Sequence, residues 1–178
     1  EILSGYLSSI NWEFNINLIV RTSNISLLSY SPNQKKVTII NVPDETFLEV
    51  PHGFGSWQLR AVYGLGGDSL LKDTLTNFFA VPIDGFLDLS GLKPGKSAIE
   101  VVETLRKSPF SGFNLLSGLR TDLTIWELLK LKLGIGGVRF DKVKKLDLES
   151  LSVLEKEKLS DGTEIYTADP VKLDSVLS

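Results

Sequence analysis

The sequence contains no cysteine and only one histidine, His52. Without cysteine the chain cannot form a disulfide, use a thiolate nucleophile, or bind zinc or an iron–sulfur cluster through sulfur. A single imidazole also excludes a zinc site built from several histidines. His52 lies in a glycine-rich stretch with no adjacent nucleophile, so we do not expect it to act as a general base.

Positive charge and long apolar runs are also scarce. The 178 residues carry 19 Lys and Arg against 22 Asp and Glu, which gives a net charge of −3. A nucleic-acid-binding domain needs a basic surface, so no nucleic-acid partner is expected. No apolar run approaches the roughly 20 residues of a membrane span. The sequence begins at Glu1 rather than at methionine, and we expect that a signal peptide, a membrane anchor or a tag has been removed.

The remaining composition is that of a globular protein, with 42% hydrophobic and 23% charged residues. The length suits one domain of ordinary size. We therefore divide the sequence into a lead-in over residues 1–14, which is expected to follow a removed membrane anchor, and one domain over residues 15–178.

Three strands are predicted near the N-terminus, at Asn15–Val20, Ile25–Tyr30 and Lys36–Val42. The first two are short apolar runs of the length of a buried strand, and the third is rich in β-branched residues. Pro32 and Asn33 favour a turn, so the second and third strands are expected to pair as an antiparallel hairpin.

Helices and further strands alternate downstream. Asp68 is predicted to cap a helix that follows a turn at Gly64–Gly67 and packs on the sheet. Pro51–Trp57 is expected to be an irregular loop. Further strands are predicted at Val81–Leu89, Val143–Leu148 and Glu164–Thr167, with a charged connection between the last two.

Two capping boxes predict two more helices. Ser97 with Glu100 begins one, and Thr124 with Glu127 begins the other, which is expected to end at Gly134 in the left-handed conformation. The alternation of strands and helices predicts a layered α/β domain.

The order of these parts resembles the LytR-CpsA-Psr family of envelope enzymes, which move glycopolymers from a lipid carrier to the cell wall. An apolar strand precedes Arg-x-x-x, the next ends in Ser-x-x-Pro-x-x-Lys-Lys-Val-Thr, and a Pro-x-x-Thr-aromatic turn follows. The resemblance continues in HGFGSWQLRAVYGLGGDSLLKDTLTNFFAVPIDGFLDL and LSDGTEIYTADPVKLDSVL. It implies a three-layer α/β/α sandwich with a central mixed β-sheet.

The family's reaction requires cations around a diphosphate, usually arginines and a metal held by carboxylates. Matching the family's motifs makes Arg21, Arg60 and Glu45 the candidate catalytic residues. The match is incomplete, because Ser23 stands where the family has Asp and Asp44 where it has arginine. A carboxylate that faces a diphosphate repels it. The alternative for both arginines is an ordinary surface position, with the stems packed on apolar neighbours.

Two further parts of the family's site are altered. Gln58 replaces an expected lysine, and Arg120 is the only arginine between Lys107 and Thr121, so the family's later arginine-rich segment has no counterpart. A metal held by Asp44 and Glu45 alone is not expected, because two carboxylates supply too few oxygens for calcium.

Apolar residues of the same region have two interpretations. The resemblance implies an apolar groove for a polyprenyl tail, and the candidates to line it are Phe110, Phe113, Leu116 and Leu119. Core packing is the alternative, because aromatic residues at such spacings are usually buried.

The favoured hypothesis is an extracytoplasmic envelope domain that has lost most phosphate-binding arginines and acts as a binding or structural module. Its expected partner is a lipid-linked glycan or another envelope protein, with the membrane reached through a segment outside this chain and with no cofactor. The alternative is an active glycopolymer transferase that uses a polyprenyl-pyrophosphate carrier, and only this alternative calls for Mg²⁺.

Overall fold

The computed structural model describes residues 11–91, 97–107, 119–151, 153–159, 162–168 and 172–173. The described residues fall into two compact units. The first unit lies within Glu1–Ile40 and Asp84–Lys145, and the second within Asn41–Ile83 and Leu146–Ser178.

The strands are numbered along the chain as β1 (Ile16–Arg21), β2 (Ile25–Ser31), β3 (Lys36–Val42), β4 (Phe47–Val50), β5 (Gly55–Gln58), β6 (Gly85–Asp88), β7 (Arg120–Thr121), β8 (Val143–Asp147), β9 (Leu154–Lys158) and β10 (Glu164–Ala168). The helices are α1 (Leu59–Phe79), α2 (Ala98–Lys107) and α3 (Ile125–Gly136), and a short 3-10 turn spans Phe140–Lys142.

The main sheet has six strands in the order β7-β6-β1-β2-β3-β8. Strand β1 runs parallel to β6 and antiparallel to β2, and β6 runs antiparallel to β7. The sheet is therefore mixed, which confirms the predicted α/β class. The three predicted N-terminal strands are also confirmed, and β2 and β3 are neighbours in the sheet.

The core of the first unit lies between one face of this sheet and helices α2 and α3. Val20 of β1 and Leu87 of β6 belong to one buried cluster with Val102 and Leu105 of α2 and Ile135 of α3. Alternate residues of a strand point to opposite faces, so Arg21 and Asp88 project from the other face of the sheet.

In the second unit, β4 pairs with β5, β9 pairs with β10, and α1 contacts β4 and β5. Helix α1 begins at Leu59, but it consists of two helical segments separated at Gly66 and Gly67. The second segment starts directly after Gly67, where a helix was predicted, whereas the first segment, over residues 59–65, was not predicted. The backbone is non-helical at Gly66 and Gly67, where Gly67 has φ of 65°. The glycines interrupt the helix because this left-handed conformation is open to glycine at little cost.

The predicted start of α3 is confirmed, and its predicted end is not. The Thr124 and Glu127 capping box is confirmed, with Glu127 N–H donating to Thr124 Oγ1 and Thr124 N–H to Glu127 Oε2. The predicted end at Gly134 is wrong, because α3 continues to Gly136. A Cβ on Gly134 would come within 2.5 Å of the Tyr30 hydroxyl oxygen, so close packing explains this glycine.

Two predicted connections are strands instead. The charged stretch Leu154–Lys158 forms β9, because its partner β10 supplies the backbone hydrogen bonds that the charged side chains do not disturb. The predicted loop Pro51–Trp57 contains most of β5, which starts at Gly55 directly after the turn.

Candidate functional site

Three charged residues stand side by side at one end of the main sheet. Arg21 is the last residue of β1, and Asp88 is its register partner at the end of the parallel strand β6. Asp88 in turn pairs with Arg120 of β7. We call Arg21, Asp88 and Arg120 the charged row.

The charged row occupies a place in the sheet where ligands commonly bind. From β1 the chain continues to β2 and β3 on one side, and it later adds β6 and β7 on the other side. In open α/β sheets, ligands bind beyond the carboxyl ends of parallel strands where the strand order reverses in this way. The junction of β1 and β6 is such a point, and the charged row lies at its carboxyl end.

Within the charged row, Asp88 lies closer to Arg21 than to Arg120. Arg21 Nη1 donates to Asp88 Oδ2 at 3.0 Å, and Arg120 Nη1 lies 3.8 Å from the same oxygen. The Asp88 side chain is 4% exposed, Arg21 is 26% exposed and Arg120 is 66% exposed. Arg120 therefore presents a guanidinium group to solvent, beside a buried carboxylate that also binds Arg21.

Asp88 is held in its ionised form. Burial acts to raise its pKa, but hydrogen bonds from the Ser90 hydroxyl and backbone N–H, together with Arg21 and Arg120, outweigh burial and lower the pKa. The Ser90 Oγ and N atoms lie 2.6 Å and 3.0 Å from Asp88 Oδ1. Both carboxylate oxygens are thus engaged, and the carboxylate fixes the position of the Arg21 guanidinium.

The second unit holds the other two candidate catalytic residues, Arg60 and Glu45. Arg60 N–H donates to the Asp44 carbonyl at 3.1 Å, and Tyr166 N–H donates to the Glu45 carbonyl at 3.3 Å. Burial and the neighbouring Glu45 raise the pKa of Asp44, and Arg60 partly opposes them. The structure therefore brings Arg60, Asp44 and Glu45 together within the second unit, whereas Arg21 belongs to the first.

Of the four residues predicted to line an apolar groove, only Leu119 lies among the described residues. Phe110, Phe113 and Leu116 lie outside the described residues, whereas Leu119 is partly buried and packs against the core of the first unit. Leu119 also lines a small apolar cavity of about 30 Å³ between the sheet and helices α2 and α3. A cavity of this volume has room for only a few water molecules, so it does not hold a polyprenyl chain as it stands.

A wider cleft opens at the surface between α2 and α3. Its volume is about 540 Å³, and it is lined by Leu105, Arg106, Trp126, Leu129, Lys130, Lys132, Leu133 and Gly136. Both apolar and cationic side chains reach this surface.

The donor set of the charged row does not fit a magnesium ion. Magnesium is bound through carboxylates with free oxygen lone pairs, and Asp88 is committed to Ser90 and to two arginines. Across the described ranges, His, Asp and Glu side chains form no group of three that could hold a metal.

His52 forms a contact of another kind. Its Nε2 lies 3.0 Å from Asp73 Oδ2 of α1, and both side chains are largely exposed. His52 also has φ of 62°, in the left-handed region. The contact ties the turn between β4 and β5 to helix α1.

Sequence reasoning did not identify Asp88 or the role of Arg120. Asp88 follows an apolar strand and precedes Leu-Ser, a pattern with no motif of its own. The available signal was the strand end itself, because a charged residue at the carboxyl end of a strand beside another such strand end is a candidate ligand contact.

Comparison with known proteins finds similarity to a curated relative and to several solved structures. No family model matches the sequence. A curated relative, the polyisoprenyl-teichoic acid–peptidoglycan teichoic acid transferase TagU of Enterococcus faecalis, is 26% identical over 93 residues. The match covers 51% of this chain and 31% of the relative, so the matched segment spans about a third of the relative's length.

Solved structures show the fold. Bacillus subtilis TagT superposes with a TM-score of 0.69 at 13% identity, over 94% of this chain and 90% of that chain. The LytR-CPS2A-psr family protein YwtF (TagT) with bound octaprenyl pyrophosphate lipid superposes with a TM-score of 0.66 at 15% identity, over 96% of this chain and 91% of that chain. A TagT complex with LIIa-WTA gives a TM-score of 0.66 at 12% identity, over 96% and 91%. These likenesses confirm the resemblance to the LytR-CpsA-Psr family, with its α/β fold.

Proposed function

We propose that this chain is an extracytoplasmic domain of the LytR-CpsA-Psr type that binds the phosphate part of a lipid-linked glycan without transferring it. The observation that carries the proposal is the charged row at the carboxyl ends of β1 and β6. Two guanidinium groups and one carboxylate leave it with a surplus of positive charge. Guanidinium groups bind phosphate oxygens through paired, charge-assisted hydrogen bonds.

The fold neighbours support a lipid-linked phosphate as the ligand. One is TagT with octaprenyl pyrophosphate, and another is TagT with LIIa-WTA. On this proposal the chain acts in the cell envelope and is anchored to the cytoplasmic membrane through a segment outside this sequence. Another envelope protein remains the second partner class.

Binding without transfer is favoured by the charges that surround the candidate residues. Phosphoryl transfer needs several preorganised cations, because charge builds up on the phosphate oxygens in the transition state. One positive charge of the charged row is neutralised by Asp88. In the second unit Arg60 faces Asp44, and Glu45 adds a second carboxylate in the same turn. Both places therefore offer less positive charge than a transferase site needs.

An active transferase is the second candidate, favoured by the name of the Enterococcus faecalis relative. In that case the residues that carry the reaction would come from those that the family's motifs give, Arg21, Arg60 and Glu45. Mg²⁺ would be needed in addition, with ligands other than Asp88.

The proposal is tested by titrating the protein with farnesyl diphosphate, a soluble short-chain polyprenyl diphosphate, in the presence and absence of Mg²⁺. We expect binding in both conditions. Arg120→Ala and Arg21→Ala should each weaken binding at least about tenfold, because each removes a charge-assisted contact. Arg60→Ala is the matched control, since it removes an exposed arginine of the second unit, and it should change the affinity less than about twofold.

A parallel assay separates binding from transfer. The protein is incubated with a polyprenyl-diphosphate-linked glycan and cell-wall peptidoglycan, and the released lipid phosphate is measured. No release is expected. Lipid phosphate release that depends on Mg²⁺ and is abolished by Glu45→Gln would show that the protein is a transferase and not a binding module. If Arg21→Ala and Arg120→Ala leave the diphosphate affinity unchanged, the charged row does not bind phosphate, either for binding alone or for transfer.

A further inference from the structure

The outer surface of helix α3 is apolar, which is unusual for a helix on a protein surface. Ile125 is 75% exposed, Trp126 is 61% exposed and Leu133 is 74% exposed. Leu131 and Ile135, on the opposite side of the helix, are buried in the core. A surface helix ordinarily places polar residues outward. The outward side chains of α3 therefore need an explanation other than the packing of the first unit.

The apolar surface continues beyond the helix. Phe140, in the 3-10 turn that follows α3, is 72% exposed. The Arg106 guanidinium lies 5.6 Å from the centre of the Phe140 ring, and Arg106 also lines the cleft that contains Trp126 and Leu133. Phe140 and the outer side of α3 thus share one surface through Arg106. We call this surface, formed by Ile125, Trp126, Leu129, Leu133 and Phe140, the α3 face.

The segment that contains most of the α3 face carries a surplus of positive charge. Between Trp126 and Lys145 the chain has six lysine or arginine residues and two acidic residues, in a protein whose net charge is −3. Of the two acidic residues, Glu127 is buried in the capping box and Asp141 pairs with Arg139 at 3.1 Å. The net charge of this segment is therefore opposite in sign to that of the whole chain, although Lys132 is buried.

The cations and apolar groups are arranged as at a lipid headgroup boundary. The Lys130 ammonium lies 5.7 Å from the centre of the Trp12 ring, and Arg106 lies over Phe140. Long cationic side chains that lie along aromatic rings can keep their charge at the level of phosphates while the rings enter the acyl region. Charge complementarity selects anionic rather than zwitterionic headgroups.

We propose that the α3 face docks on an anionic phospholipid surface. Trp126, Leu133 and Phe140 enter the boundary between headgroups and acyl chains, and Lys130 and Arg106 contact the lipid phosphates. The interaction needs no diphosphate at the charged row, so it goes beyond the proposed function. It would hold the first unit at the membrane surface in addition to any covalently attached anchor.

Vesicle flotation tests the proposal. The protein is mixed with vesicles of phosphatidylcholine and phosphatidylglycerol, or of phosphatidylcholine alone, at low and high salt. We expect flotation with the anionic vesicles at low salt and a marked loss at high salt or without phosphatidylglycerol. The double substitution Leu133→Ser and Phe140→Ser should weaken binding at least about tenfold, because it removes two inserting side chains.

Matched variants control for general effects of surface substitution. Phe14→Ser removes a phenylalanine that is 67% exposed elsewhere in the first unit, against 72% for Phe140, and should leave flotation unchanged. Lys130→Gln should weaken binding about fivefold, the worth of one basic residue at an anionic surface, whereas Lys158→Gln in β9 should not.

Several results would overturn the proposal. These are absence of flotation, equal binding to neutral vesicles, and flotation unaffected by the Leu133 and Phe140 substitutions. A change of molecular mass in solution on those substitutions, with flotation unaltered, would make the α3 face a protein interface instead. Titration of the same variants with farnesyl diphosphate verifies folding, and it separates loss of membrane docking from loss of phosphate binding.

Discussion

Two parts of this protein place arginine beside aspartate, and the two aspartates have opposite properties. In the charged row of the first unit, Asp88 is nearly fully buried, accepts two hydrogen bonds from Ser90 and has a lowered pKa. In the second unit, Asp44 is only partly buried, lies beside Glu45 and has a raised pKa. The residue types are the same, and the neighbouring donors and charges differ.

The comparison shows what makes an arginine useful for binding an anion. At the charged row the hydrogen-bonded carboxylate fixes Arg21, so on the proposed function its guanidinium is preorganised for a phosphate. Around Asp44 the nearby carboxylates compete with any incoming anion for Arg60. On the proposed function, the environment of the acidic partner, rather than the number of arginines, decides which of the two places binds phosphate.

The largest expected difference is in folding stability. Asp88→Ala should lower the free energy of unfolding by about 3 kcal/mol, because it leaves partly buried Arg21 without its carboxylate and the Ser90 donors without their acceptor. Asp44→Ala should change it by less than about 0.5 kcal/mol. Urea unfolding followed by tryptophan fluorescence measures both values, and equal losses for the two variants would remove the distinction between the two aspartates.

The second difference is in the response to acid. A lowered pKa means that the Asp88 contribution to stability is complete above the pKa of the unfolded chain, near 3.8, and is lost as the pH falls through the lower folded value. A raised pKa gives Asp44 the opposite sign, so its ionisation destabilises the folded chain as the pH rises through the folded pKa.

Unfolding measured across a series of pH values tests these signs. Asp88→Asn should reduce, by roughly 1 kcal/mol, the amount by which the free energy of unfolding falls below about pH 4. Asp44→Asn should raise the free energy of unfolding at neutral pH by less than about 1 kcal/mol. An acid response that is the same in Asp88→Asn and the unaltered protein would show that Asp88 is not held in its ionised form.

The smallest difference concerns the two exposed arginines. Arg120→Ala and Arg60→Ala should each change stability by about 0.5 kcal/mol or less, since exposed ion pairs contribute little. Inorganic pyrophosphate should nevertheless raise the melting temperature of Arg60→Ala as it does that of the unaltered protein, and should raise that of Arg120→Ala much less. Equal shifts for the two variants would indicate that Arg120 does not contact the anion.

The elements with strong local signals could be predicted from the sequence. Strands β1 to β3 follow apolar and β-branched runs, and α3 begins where Thr124 and Glu127 form a capping box. The failures lie where tertiary pairing overrides local pattern. The charged stretch of β9 looks like a connection, yet it is a strand because β10 pairs with it.

The candidate site was only partly predictable for a similar reason. Arg21 could be identified because it directly follows an apolar strand in a family-like motif. Asp88 and Arg120 could not, because their importance comes from the order β7-β6-β1, and strand order is not written in the local sequence. In addition, the raised pKa of Asp44 depends on how far it is buried, which a turn sequence does not reveal.

The pairing of β1 with β6 also has a consequence for the order of events in folding. Arg21 and Asp88 are 67 positions apart along the chain, whereas β1 and β2 are joined through residues 22–24. Closing a long loop costs more entropy than closing a hairpin, so the hairpin should form early and the β1–β6 ladder late. During synthesis Arg21 emerges well before its counter-ion. On the proposed function, a newly made chain would therefore acquire its phosphate-binding site only after the β1–β6 ladder has formed.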